Sequence, residues 1–415
     1  MQIPSTLVLL TQKYPFESGE EFLLPELKRI SYEFDRVILI PTAVRDFSIS
    51  RQVPSNVEVK PIPNPSRSSE VIMSLLKNLP QFLSLLQVEL RNSNWNWKLG
   101  KYWAYHIPFA LTIREELKIL LESHKSILFY SYWMDTNAYA LALQRDDFPD
   151  LKFIVRTHGG DLYDERSPSG QVAFRKSVYD KAEAIWPISV DGLEYIRRKF
   201  PLHKEKLMLA RLGVEDFGFG PLDKDSAVFR IVSCSSLIPL KRVNLIAQVM
   251  LHSHLPIQWV HIGGEKEQMD EIFQRIGNGR PGLEVIWKGK VSNEELMKYY
   301  SGQFVDALIN LSSSEGIPVS MMEAISFGIP IFANNVGGIS EIVTEATGCL
   351  VEEGLELDSL VRVFEVWLNS GKSRDMIFRN GVREFWKANF DADKNHFSFA
   401  EKLNSGLVVN NAEKF

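Results

Sequence analysis

The sequence predicts an α/β protein built from two doubly wound, Rossmann-like parallel-sheet domains, and three observations carry that prediction. Short apolar runs alternate with longer segments of helical periodicity along most of the chain, which is the pattern of βαβ units. At 415 residues the chain exceeds what one ordinary core supports, so two cores are expected. Midway, Phe217 to Asp225 is rich in Gly, Pro and charge and interrupts the alternation.

In the first half, strands are expected at Thr6 to Leu10, Arg36 to Pro41, Ser126 to Tyr130, Lys152 to Arg156, Ala184 to Pro187 and Leu207 to Ala210. Helices such as Glu21 to Phe34 and Thr136 to Arg145 separate them, so residues 1–216 read as one domain and 217–227 as a linker. A second series follows over 228–388, with strands at Val228 to Ser233, Ile257 to Ile262, Leu283 to Trp287, Ala307 to Leu311 and Ile329 to Phe332. From Leu355 onward the pattern is helical, and residues 389–415 form a helical tail suited to packing back on the first domain.

Composition narrows the function. Hydrophobic residues make up 45% and charged residues 24%, as in soluble globular proteins rather than disordered or membrane-spanning ones. A net charge of -5 without a dense Lys/Arg run argues against a nucleic-acid partner. Cys234 and Cys349 both sit in apolar stretches, which suits buried, reduced thiols and a cytoplasmic location. The start lacks a charged region followed by an apolar stretch and cleavage site, and no run of about 18 apolar residues occurs, so neither secretion nor membrane spanning is expected. The stretch Val71 to Ala110 sets Leu and Trp residues among Lys77, Arg91, Lys98 and Lys101; it reads as a core helix with a stacked loop or as a peripheral contact with the inner membrane surface, at its cytoplasmic face.

The chemistry concentrates in Ser312-Ser313-Ser314-Glu315-Gly316-Ile317-Pro318-Val319-Ser320-Met321-Met322-Glu323-Ala324, a strand, turn and helix start. Gly316 permits a close backbone approach and Pro318 suits a first helical position, so the helix is expected to begin near Ile317. Its unpaired N–H groups and dipole would face a ligand such as a diphosphate. Glu315 and Glu323 stand about two turns apart, although either alone reads equally as an ordinary helix-end or solvated carboxylate. Lys241 and Arg242 follow the second domain's first strand, where cations oppose the helix dipole unless an anion is bound. Gly263 and Gly264 end the next strand, and Lys288 to Val291 the one after.

Together these segments resemble the retaining family-4 glycosyltransferases of the GT-B fold, in which two Rossmann-like domains face each other across a cleft. The most specific element is the Glu-x7-Glu signature from Glu315 to Glu323, and Ala333 to Val343 matches the following motif. The resemblance implies that Glu323 bonds ribose hydroxyls, that Glu315 contacts the donor sugar, and that Gly316, Ile317, Pro318 and Val319 hold the diphosphate. Lys241 matches the phosphate-binding lysine, while Ser236 stands where the family has an Arg, for which Arg242 is the substitute. In the first domain, His158 and Asp161 fall in the segment whose His approaches the transferred sugar, and Gly19 and Glu20 in the acceptor-side loop.

The implied activity is transfer of a hexosyl-type sugar, with retention, from a nucleotide-sugar donor such as a UDP-sugar to a glycan or lipid-linked acceptor, as in capsule or exopolysaccharide assembly. No cofactor and no metal are expected: the Asp-x-Asp matches Asp223 to Asp225 and Asp391 to Asp393 fall in the linker and the tail. A GT-B nucleotide-sugar epimerase and a non-catalytic nucleotide-sugar-binding subunit are the alternatives. A dinucleotide oxidoreductase is disfavoured because Thr11 to Pro15, after the first strand, lacks a Gly-x-Gly-x-x-Gly turn.

Overall fold

The computed structural model describes residues 5–48, 50–64, 68–123, 126–223, 225–276 and 279–405. The chain divides into two units, residues 1–211 with 395–415, and residues 212–394.

In the first unit, β1 (Thr6–Thr11), β2 (Arg36–Pro41), β3 (Val57–Val59), β4 (Ile127–Ser131), β5 (Lys152–Thr157) and β6 (Ala184–Pro187) form a parallel sheet in the order β3-β2-β1-β4-β5-β6. Strand side chains alternate between faces: Val8 and Leu10 pack with Trp103, Ile107 and Leu141, whereas Leu7 and Leu9 pack with Leu23, Leu27 and Phe399. Both faces are thus covered by helices, which is why the strands read as continuous apolar runs. The segment expected as a strand at Leu207 to Ala210 makes only one bridge, Leu207 to Ile185, and lies alongside β6 with Met208 and Ala210 N–H groups bonded to Ile185 O and Pro187 O.

The helix Ala392–Asn404 seals this sheet through Phe399, Ala400 and Leu403. A wholly buried ion pair lies beneath it: Arg156 Nη1 stands 2.7 Å from Glu26 Oε2, and the guanidinium sits 4.7 Å over the Phe399 ring. Tyr130 Oη donates to Glu26 Oε1 at 2.6 Å, and Arg156 Nη2 donates to Ala210 O at 2.8 Å, so the buried charges have partners.

In the second unit, β7 (Phe229–Cys234), β8 (Ile257–Ile262), β9 (Leu283–Trp287), β10 (Ala307–Asn310), β11 (Ile331–Asn334) and β12 (Gly348–Val351) are again parallel, in the order β12-β11-β10-β7-β8-β9. Residues 212–227 join this unit rather than hanging as a free connection: Gly220 N–H donates to Phe327 O at 3.0 Å, and Arg383 pairs with Asp216 and donates to Gly218 O at 2.8 Å. Residues 389–394 belong here too, and residues 406–415 of the expected tail lie outside the described residues. Cys234 and Cys349 are free and half-buried, where burial was expected, and burial pushes the Cys234 thiol up to about 12. No described helix is long and apolar enough to cross a membrane.

Each sheet reverses its strand order once, between β1 and β4 and between β7 and β10. Loops leaving the carboxyl ends of two such strands diverge to opposite faces and leave a crevice, the usual ligand position of this architecture.

Candidate active site

In the second unit that crevice lies between the loops after β7 and β10, and both supply chemistry. After β7 the chain makes a 3-10 turn, Pro239–Lys241, then places Arg242 at φ 47 before the helix Val243–His252. A left-handed conformation costs a non-glycine residue about 1–2 kcal/mol, a strain found most often at functional sites. Ser313 N–H donates to Leu240 O at 2.9 Å, tying the two loops together. Lys241 Nζ then donates to Glu315 Oε1 at 2.6 Å, with the carboxylate only 5% exposed.

Beyond Glu315 the helix runs Val319–Ser326, with Pro318 (ψ 120) as its N-cap and no side-chain cap bond. The start expected near Ile317 is therefore displaced to Val319, because Pro318 keeps an extended ψ and closes the turn instead of opening the helix. The first-turn N–H groups of a helix have no intrahelical acceptor, so this end presents donors and a positive dipole beside Lys241.

A second loop braces the turn from behind. Gly338 N–H donates to Gly316 O at 2.8 Å. A Cβ on Gly337, at φ +53, would stand 1.9 Å from Glu315 O, and one on Gly338 would stand 2.2 Å from Gly316 O. Asn334 Nδ2 also donates to Leu311 O at 3.2 Å, so the β11 loop fixes the β10 loop that carries Glu315.

The two signature carboxylates occupy different surroundings. Glu323 is buried and accepts from Asn293 Nδ2 at 2.5 Å; burial pushes its carboxyl up to about 7 against the lowering effect of that bond. Glu315 is held by a cation and by Asn310 Nδ2 at 3.4 Å. Neither Asn293, on the helix after β9, nor Asn310 stood out in the sequence, because an Asn carries no pattern until the fold brings its partner near.

The remaining donor-side residues are spread around this centre. Ser236 is exposed, and Arg242 Nη1 reaches Glu353 Oε1 at 3.3 Å, so it is engaged away from Glu315. Gly263 (φ 120) sits where a Cβ would meet Ser235 O at 2.1 Å, and Gly264 (φ 71) where one would meet Leu237; only glycines allow the β7 and β8 loops to approach this closely. Lys288 lies 5.2 Å over the Tyr299 ring and, with Val291 and Ile262, lines a cavity of about 500 Å3. Asp223 pairs with Arg230 at 3.2 Å and Asp391 accepts from Lys394 N–H at 2.9 Å, so these two aspartates of the Asp-x-Asp matches are occupied by local contacts.

The first unit's crevice, between the β1 and β4 loops, is more buried. Glu20 accepts from the N–H groups of Gln12, Lys13 and Tyr14 at 3.1, 2.6 and 2.7 Å and from the Trp133 indole, so its carboxylate orders the β1 loop. Asp161 accepts from His158 N–H at 2.5 Å and Met134 N–H at 2.8 Å, joining the β4 and β5 loops. His158 is buried among Trp133, Tyr132 and Phe22, with ring centroids at 4.3, 4.9 and 5.7 Å, and its Nε2 has no partner among the described residues. Gly19 (φ 118) has open space beside it. Asp135, missed in the sequence, caps the helix Thr136–Asp147 and is pushed by burial up to about 7.

Residues 217–384 match the family model described as glycosyl transferases group 1. The chain is 26% identical over 262 residues to the O-antigen biosynthesis glycosyltransferase WbnH of Escherichia coli, spanning 61% of this chain and 73% of that protein. Among solved structures it resembles the sucrose-phosphate synthase of Thermosynechococcus elongatus (TM-score 0.72, 14% identity, 97% and 98% of the two chains). It also resembles Anabaena HepE in complex with UDP-glucose (TM-score 0.64, 16% identity, 96% and 99%). The family match and the curated relatives therefore support a glycosyltransferase, and the structural likenesses show the GT-B fold. The second unit carries the glycosyl transferases group 1 domain, and the crevice at Lys241 and Glu315 lies within the matched residues.

Proposed function

We propose that this protein is a retaining hexosyltransferase that moves a sugar from a UDP-sugar or related donor to a glycan or lipid-linked acceptor in the cytoplasm. One observation carries the reading: Lys241 Nζ, 2.6 Å from Glu315, stands beside an uncapped helix N-terminus at the sheet's switch point. Negative charge develops on the diphosphate as the glycosidic bond breaks, and a fixed ammonium with oriented N–H donors stabilises that charge more than the bound ground state. The charge is answered by the chain itself, so the proposal assigns no metal, and transfer should persist in a chelator.

In this scheme Gly316 to Val319 hold the diphosphate, Glu315 contacts the donor sugar, and Glu323 takes the ribose hydroxyls. The cavity at Lys288 and Val291 receives the base, and HepE, which shares the fold, is solved with UDP-glucose, a donor of the proposed class. Arg242, drawn toward Glu353, supplies long-range charge only. The first unit serves the acceptor side: Glu20 and Asp161 position its loops, and His158, with an unpartnered Nε2, meets the transferred sugar. The acceptor hydroxyl attacks from the face the leaving group vacates and passes its proton to a phosphate oxygen, which preserves the anomeric configuration.

The test is a nucleotide-sugar panel screened by thermal shift, followed by product analysis with and without acceptor and proton NMR of the new linkage. An acceptor-dependent product of unchanged anomeric configuration supports the proposal. An epimerised donor formed without acceptor, or binding without turnover across the acceptors of this class, overturns it.

A further inference from the structure

Nothing in the donor chemistry uses the helices Ser68–Lys77 and Leu79–Asn92 or the start of the helix Trp97–Ser123, yet their outer surface is the most apolar on the first unit. Ile72 and Leu76 on the first helix, and Leu79, Leu83, Leu86 and Leu90 on the second, recur in steps of four and three residues, so each helix carries an apolar stripe. All but the half-buried Leu86 are exposed, Leu76 by 61%. The second stripe cannot turn inward. Phe82, roughly a quarter turn round the helix, is buried in the core, and Glu89, also buried on that flank, accepts from Ser177 Oγ at 2.5 Å.

At the end of the stripe Trp95 and Trp97 are 63% and 59% exposed, with Lys101 Nζ 4.7 Å over the Trp97 ring. Charge on this surface is basic along residues 72–101, with Glu70, Glu115 and Glu116 gathered beside Lys77 at one edge. Between residues 72 and 101 the exposed ionisable side chains are Lys77, Arg91, Lys98 and Lys101, and the lone carboxylate, Glu89, is buried. A chain of net charge -5 has thus gathered cations around an apolar stripe tipped with indoles. A bilayer matches each part: acyl chains take the leucines, the headgroup layer takes the indoles, and anionic lipid takes the cations. A second copy of this chain would bring the same four cations against themselves.

We infer that residues 72–101 form a docking surface for an anionic lipid bilayer, holding the first unit flat on the membrane without spanning it. The inference is independent of the donor chemistry. It is tested by co-sedimentation of the full chain with vesicles of phosphatidylcholine alone and of equimolar phosphatidylcholine and phosphatidylglycerol. Binding to the anionic vesicles only, weakened by salt, is expected. Leu76→Glu with Leu83→Glu, and separately Trp95→Ala with Trp97→Ala, should each reduce it about tenfold or more while leaving the melting temperature unchanged. Equal binding to neutral vesicles, no vesicle binding, or a solution dimer that the Leu76→Glu, Leu83→Glu variant converts to monomer overturns the inference.

Discussion

Lys241 Nζ and Glu315 Oε1 lie 2.6 Å apart although 74 residues separate them in the chain, and each comes from a different loop of one switch point. The pair brings an ammonium against a buried carboxylate in the crevice to which the proposed scheme assigns phosphate and sugar. Donor binding should exchange this contact for phosphate and hydroxyl contacts.

Replacing Glu315 by Gln keeps the shape and removes the charge. Turnover should fall about 10²- to 10³-fold with donor affinity nearly unchanged, whereas Lys241→Ala should weaken donor binding as well. Steady-state kinetics beside isothermal titration separates the two, and full turnover by the Gln variant would falsify the contact assigned to Glu315.

The Glu323 carboxyl, pushed by burial from an ordinary 4.5 up to about 7, makes donor affinity depend on pH. Ionisation supplies the stronger acceptor for ribose hydroxyls, so UDP-glucose, whose phosphates stay ionised throughout, should bind more tightly as pH rises through about 7. Folding runs the other way: this group's contribution is complete below 4.5 and is lost as pH rises to about 7. Glu323→Gln should flatten the affinity profile and remove only its own share of the folding profile, since burial raises Asp135 to about 7 as well; a Gln variant retaining the pH dependence of donor affinity assigns it elsewhere.

Gly337 can be tested against a glycine that nothing crowds. A methyl at Gly337 would stand 1.9 Å from Glu315 O, so Gly337→Ala should lower the melting temperature and abolish most transfer. Gly381, inside the helix Met376–Asn389 with nothing within 4 Å of its Cβ position, should tolerate Ala with a gain of about 0.5–1 kcal/mol. Equal behaviour of the two variants in thermal melts would dismiss the bracing role of the β11 loop.

Arg156→Met leaves Glu26 as an uncompensated buried charge and should cost about 3–5 kcal/mol of first-unit stability. Adding Glu26→Gln should recover part of that loss, since the orphaned charge is gone. Urea melts of the single and double variants measure the coupling; strictly additive losses contradict a direct pair.

The legible part of the fold was the part written in local periodicity. Apolar runs bounded by turn residues marked ten of the twelve strands among the described residues, in both units, while Val57–Val59, with a charged residue between two valines, and Gly348–Val351, opening on Gly-Cys, lack a continuous apolar run. Leu207 to Ala210 looked like a strand because it is extended and apolar, yet it makes a single bridge. The linker was misplaced for a related reason: Gly and Pro mark irregular backbone, and irregular backbone can still be bonded firmly to one unit, as Gly220 is to Phe327.

By itself the sequence determined that two parallel α/β sheets form, that Glu315 and Glu323 flank one helix start, and that cations follow the first strand of the second sheet. These are properties of neighbours along the chain, set by side-chain period and by backbone restrictions at Gly and Pro. Tertiary structure decided that Lys241 meets Glu315 while Arg242 turns to Glu353, that Asn293 reaches Glu323, and that Gly337 and Gly338 brace the turn. Such pairings follow from which strands lie adjacent and from volume excluded between loops, and neither quantity exists until the sheet has closed around its core.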